Sequence, residues 1–184
     1  MLGHVFENLL AAYNPETDKT ARKTTGSFYT PRVVGDFMVD EALIAYLESR
    51  LQSAINKPKS AFAPRLRELL GYTDKPQQFS PEEVRVLVDA IDQVKILDPA
   101  CGSGAFPMGA LHKLVFLLSK LDPDNEEWRE RQLAKARQLD VGRDAALQAV
   151  EDAFARDQGD YGRKLYLIEN CLYGVDIQSI AVQI

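Results

Sequence analysis

Two carboxylates and a pair of glycines are the residues of this chain whose types and spacing can do chemistry. In "KILDPACGSGAFPMGAL", residues 95–111, an apolar run gives way to Asp98-Pro99, then to Gly102, Ser103 and Gly104, then to apolar residues at helical intervals. Strand, glycine loop and helix in that order bring a ligand against backbone amides at a helix N-terminus, where the dipole favours an anion by about 0.3 to 1 kcal/mol. The glycines leave room for close approach and Ser103 adds a hydroxyl. A tight strand-to-helix turn would call for the same glycines. A dinucleotide fingerprint needs glycine at 107, where Pro107 stands, tolerable because it falls in the first turn of the helix. A phosphate-binding P-loop needs Gly-Lys-Ser or Gly-Lys-Thr, and neither follows. Nicotinamide and nucleoside-triphosphate chemistry are both disfavoured.

Asp98 closes the first strand beside this loop, where its carboxylate is placed to meet an ammonium group. Asp176 closes a second predicted strand, a position from which an acidic side chain accepts both hydroxyls of a ribose. The usual separation from the loop is about 20 residues. Asp176 follows Gly104 by 72, so the segment 122–170 is an insertion in the crossover. A ligand with an amino-acid end and a ribose fits both carboxylates, and S-adenosylmethionine is such a ligand.

The elements that hold these residues are mostly helical. Residues 2–13 place apolar side chains at helical spacing up to Asn14-Pro15, and a polar linker without periodicity follows. Pro31 opens a long amphipathic helix with Thr30 as its N-cap and Phe37, Ile44, Leu47 and Leu51 on its apolar face. A short helix is predicted near 64–70. At "SPEEVRVLVDAI", Ser80, Pro81 and Glu83 spell a capping box with proline at the first helical position. Residues 94–97 form a short buried strand and 105–120 a helix. The stretch 122–157 is helical and highly charged, 160–169 is a further helix, and "CLYGVD" is a strand ending at Asp176. Two regions follow: a helical part over 1–93 and the opening of a β-α-β unit over 94–184.

Composition sets the outer limits. The chain has 184 residues, 46% of them hydrophobic and 27% charged, enough to bury a core of its own. No apolar stretch approaches the roughly 20 residues of a membrane span, and the N-terminus lacks the pattern of a signal peptide; no membrane partner and a cytoplasmic location are expected. Cys101 and Cys171 share no disulfide or metal-ligand spacing with the two histidines, so both are expected to stay reduced. With 22 basic and 27 acidic residues, net charge −5, the chain lacks the basic footprint of a self-sufficient nucleic-acid binder. Lys19, Arg22 and Lys23 form its one local basic cluster, readable as a solvated loop or as a phosphate contact.

The same residues carry a family resemblance. "DPACGSGAF" (98–106) resembles the first motif of adenine-specific DNA methyltransferases, "TGSFYTP" (25–31) the motif that precedes it in the gamma order, and "LYGVDIQSIAV" (172–182) their ribose-binding motif. With "FENLLAAYNPET" and "ARKTTGSFYTPR" included, the chain resembles the N-terminal part of the methylase of type IIG restriction-modification systems and of related phage-defence methylases. The resemblance implies a Rossmann-like, S-adenosylmethionine-dependent fold preceded by a helical region. It implies that Tyr29, Thr30 and Pro31 lie over the methionine part of the cofactor, that Asp98, Ala100, Gly102 and Gly104 cradle it, that Asp176 holds the ribose and that Ile177 packs on the adenine. Bland roles stand beside these: Thr30-Pro31 as a helix start, Tyr29 as a surface aromatic, Ile177 as core, Phe28 and Phe106 as packing.

One departure from that family is plain. Its members hold the flipped adenine with an Asn-Pro-Pro-Tyr or Asp-Pro-Pro-Tyr segment, and no Pro-Pro pair occurs in these 184 residues. A base has to leave the duplex and stack in a pocket before its amino group can attack a methyl carbon. The expectation is the cofactor half of such an enzyme, inactive alone, meeting DNA only through a longer protein, with a minimal parallel sheet whose open edges invite self-association. An assembly module with a vestigial cofactor site is the competing reading, and a methyltransferase acting on RNA or protein is a third.

Overall fold

In a computed structural model, residues 13–14, 19–20, 30–55, 58, 61–102, 104–155 and 159–176 are described. Tyr13–Asn14 (β1) and Lys19–Thr20 (β2) pair antiparallel, Tyr13 opposite Thr20 and Asn14 opposite Lys19. Tyr13, expected in the helix, is thus in a strand, as are Asn14, Lys19 and Thr20 of the expected polar linker. Pro15 has no N–H to continue a helix past Asn14, and Tyr13 and Asn14 pair as extended backbone instead. The rest of that predicted helix, 2–12, lies outside the described residues.

Helix α1 (Arg32–Ala54) is the longest element. Leu43, Ile44, Leu47 and Leu51 recur on one face and are buried, which is why this stretch is a packed helix rather than a solvated one. Its start differs from expectation: Pro31, not Thr30, holds the N-cap position, and no side chain caps it. The Pro31 carbonyl already accepts from the Val34 and Gly35 amides, so the cap falls one residue later. Phe37, expected on the apolar face, is 65% exposed, and Val33, Val34 and Met38 beside it are exposed too.

Helices α2 (Ala63–Leu70) and α3 (Pro81–Gln93) pack on α1. The start of α3 follows the sequence: the Glu83 amide donates to Ser80 Oγ at 3.3 Å, and the Ser80 amide donates to Glu83 Oε2 at 2.9 Å. Arg65 of α2 holds the same carboxylate with two further bonds, of 3.1 and 2.6 Å. Ser80→Ala is expected to cost about 1 kcal/mol, hence about 2 to 4 °C in melting temperature, measurable by circular dichroism.

Strand β3 (Ile96–Asp98) pairs in parallel with β4 (Leu172–Gly174), in the register Ile96 to Leu172, Leu97 to Tyr173 and Asp98 to Gly174. β3 starts two residues later than predicted because Val94 closes α3, its amide donating to the Ile91 carbonyl. β4 ends two residues before Asp176. Between the strands run α4 (Ala105–Leu121), α5 (Glu126–Arg137), α6 (Arg143–Ala155) and α7 (Gly159–Asn170). The single helical stretch expected over 122–157 is thus two helices, parted at Gly142, which sits at φ +74°, a conformation most side chains resist.

Buried side chains form one cluster from Leu43 to Cys171, drawn from α1 to α4, Trp128 of α5 and Leu167 of α7. No described helix is long and apolar enough to cross a membrane.

Candidate functional site

The glycine loop joins the end of β3 to the start of α4, and backbone bonds fix its shape. The Cys101 amide donates to the Val175 carbonyl at 3.0 Å, the Val175 amide to the Asp98 carbonyl at 2.9 Å, and the Gly104 amide to the Cys101 carbonyl at 2.8 Å. Gly102 and Gly104 lie at φ +51° and +80°, in the left-handed region, where a Cβ is costly. A Cβ built on either would meet nothing within 4 Å among the described residues. Among the described residues, space is therefore left where the two glycines stand. Gly104 occupies the N-cap of α4 and, having no side chain, caps none of the amides of that helix's first turn.

The two carboxylates flank this loop. Asp98 Oδ1 accepts from the Ala100 amide at 3.0 Å, while Asp98 Oδ2 is buried with no hydrogen-bond partner among the described residues. An unsatisfied buried acceptor costs about 1 to 3 kcal/mol, and a donor supplied by a ligand would offset that cost. Asp176 Oδ2 accepts from the Gly102 amide at 2.7 Å. The carboxylate after β4 is thus tied directly to the loop after β3.

The start of α1 comes to the same place. A Cβ on Gly35 would lie 3.8 Å from the Phe106 ring, one on Gly109 would lie 3.9 Å from Val39, and Lys113 Nζ stands 2.9 Å from Asp40 Oδ1. These three contacts ascend both helices together, so α1 and α4 run parallel with their N-termini side by side. Thr30, Arg32, Asp36, Ala105, Phe106 and His112 help line a cavity of about 250 Å³ between those ends. A larger, mainly apolar cavity of about 450 Å³ runs along β3, with Met38, Ala42, Leu97, Asp98, Pro99 and Phe106 among its walls.

Asp98, Ala100, Gly102, Gly104 and Asp176 therefore form one connected group. Thr30 stands across a cavity from Ala105 and Phe106, with exposed Pro31 next to it. Tyr29 and Ile177 lie outside the described residues, as do Ser103, Arg22 and Lys23; Lys19 lies in β2. Two participants escaped the sequence reading. Phe106, read as packing, lines both cavities. Gly174 presses on the loop: a Cβ there would lie 2.9 Å from Cys101 Sγ and 3.1 Å from Cys101 Cβ. A glycine inside a strand signals this kind of close approach.

Along its whole length the chain is 27% identical, over 186 aligned positions, to a protein of Methanocaldococcus jannaschii named "Putative type II restriction enzyme and methyltransferase". The chain spans 13% of that protein's length. No family model matches the chain, and no solved structure matches it. The full-length likeness supports a relationship between this chain and restriction-modification methyltransferases.

Proposed function

We propose that the chain is the S-adenosylmethionine-binding portion of a site-specific DNA adenine methyltransferase of a restriction-modification or phage-defence system, with a Rossmann-like sheet begun by β3 and β4. One observation carries the reading furthest. The glycine loop offers open space at two left-handed glycines, with a partnerless buried carboxylate oxygen on one side and a second carboxylate bonded to the loop on the other. These residues fit a ligand that is cationic at its amino-acid end and carries ribose hydroxyls. When bound, S-adenosylmethionine supplies an electrophilic methyl group.

The chain's own residues bind and orient. Asp98 would receive the ammonium group on the oxygen that lacks a partner. Gly102 and Gly104 would let the ligand lie against the backbone, and Asp176 would hold the ribose hydroxyls while keeping the Gly102 amide in place. Thr30 and Pro31, with Tyr29 before them, would cover the methionine end, and Ile177 would pack on the adenine. Adenine as the methylated base and the type IIG architecture rest on the order of the three motifs. Contact with DNA would come through a longer protein.

The test is the melting temperature with and without S-adenosylmethionine. Ligand at about 100 times its dissociation constant adds about 2.7 kcal/mol, a rise of roughly 5 to 11 °C for a chain of this size. Asp176→Ala is expected to abolish the rise. Asp176→Asn keeps an oxygen for the Gly102 amide but loses the charge, so it separates loop order from ribose binding. A wild-type chain that melts cooperatively with no rise would overturn the cofactor reading. The exposed apolar side chains Val33, Phe37 and Met38 of α1 would then favour an assembly module.

A further inference from the structure

We infer that the junction of α1, α3 and α5 is an oxyanion site for a phosphate group, separate from the glycine loop. A polar cavity of about 340 Å³ opens there, lined by Arg50, Ser53, Arg85, Asp89 and Arg131 among others. It lies at the last turns of α1, about 30 Å along that helix from the end that meets the glycine loop, so the two sites serve different ligands.

Guanidinium groups from three helices line this cavity, and two of them, Arg50 and Arg131, share one carboxylate, Asp89. Asp89 Oδ1 accepts from Arg131 Nη1 at 2.5 Å and from Gln93 at 3.0 Å; Oδ2 accepts from Arg50 Nη2 at 3.4 Å and from Gln93 at 3.0 Å. Asp89 is thereby saturated as an acceptor. Arg50 has a second partner in Gln93, Arg131 in the Arg85 carbonyl, and Arg85 pairs through Nε with Glu127. Arg131 Nε is buried without a hydrogen-bond partner among the described residues. Among the described residues, these three arginines pair with two carboxylates, Asp89 and Glu127.

The network holds more donors than acceptors around an open cavity, one of them the buried Arg131 Nε. The group that best matches several planar guanidinium forks is a tetrahedral oxyanion, which offers several acceptor oxygens and accepts bidentate pairs. Asp89 holds the forks in register but also repels the anion, so it sets the affinity.

Inorganic phosphate is the probe, titrated calorimetrically into the full chain against chloride at matched ionic strength. Saturable binding specific to phosphate is expected. Arg85→Gln alters an exposed side chain, so the fold survives, and weakens binding about fivefold. Arg85→Glu abolishes it. Asp89→Asn removes the internal competitor and tightens binding about fivefold, a gain that a structural ion-pair network would not produce. The shift with S-adenosylmethionine stays unchanged in Arg85→Gln, which keeps this proposal distinct from the cofactor reading. Phosphate no better than chloride, or equal binding in wild type and Arg85→Glu, would overturn it. Competition by a short DNA duplex for the phosphate site would name the nucleic-acid backbone as the source of the phosphate; no competition would name a free phosphate.

Discussion

Arg163→Met is expected to destabilise the protein by about 3 to 5 kcal/mol, the cost of leaving one charge of a buried pair without its partner. Arg163 is 1% exposed. Its Nη2 bonds the backbone oxygen of Asp122 and lies 3.2 Å from Asp122 Oδ2, and its Nη1 stands 3.8 Å from Asp160 Oδ1. Burial pulls the guanidinium below its ordinary pKa, while the charges of Asp122 and Asp160 hold it up. Asp122 closes α4, and its carboxylate accepts from the amides of Glu127 and Trp128 at 3.2 and 2.9 Å, opening α5. One ion pair thus ties α4, α5 and α7.

Against a total stability of about 5 to 15 kcal/mol, such a loss is readily seen in urea denaturation. Asp122→Asn in the Arg163→Met background removes the stranded charge and keeps an oxygen for one of the two amides, so it should return part of the loss. A cost under about 1 kcal/mol for Arg163→Met would show the pair to be no stronger than a surface one. The change also bears on function, because α7 leads directly into β4 and from there to Asp176. Loosening α7 is expected to reduce the melting shift with S-adenosylmethionine as well as the melting temperature itself.

What could be read in advance divides along physical lines. Local chemistry was legible: the Ser80-Pro81-Glu83 start of α3 depends on side chains within four residues of one another, and all its bonds are present. The glycine loop was legible for the same reason, since left-handed backbone at Gly102 and Gly104 needs glycine whatever surrounds it. Competition between neighbouring elements was not. Val94 reads as strand by composition, but α3 takes its amide first. Phe37 reads as core by period, but burial depends on what covers the start of α1, and period alone does not say. Long-range ties such as Asp176 to Gly102, 74 positions apart, could be guessed only through the chemistry of a shared ligand.

Gly174→Ala is the change expected to strike the candidate site hardest without touching a proposed ligand contact. The added Cβ would stand 2.9 Å from Cys101 Sγ and 3.1 Å from its Cβ. Cys101 cannot simply retreat, because its amide is bonded to Val175 and its carbonyl receives the Gly104 amide. Rotation of Cys101 about χ1 relieves only the sulfur contact, and further relief moves the loop away from β4, which stretches the bond from the Gly102 amide to Asp176. Overpacking of this kind costs about 1 to 3 kcal/mol, and displacing the loop takes with it the cofactor contribution of about 2.7 kcal/mol at 100 times the dissociation constant. Cys101→Ala paired with Gly174→Ala removes the sulfur and leaves only the 3.1 Å contact, which a shift of a few tenths of an ångström relieves. A double-mutant cycle read by melting temperature, with and without S-adenosylmethionine, should therefore show a favourable coupling of about 0.5 to 3 kcal/mol between the two sites. Additive effects would mean that Gly174 acts through strand pairing alone. Coupling that appears in the ligand shift as well as in the bare stability would tie the spacing of β3 and β4 to the shape of the cofactor loop.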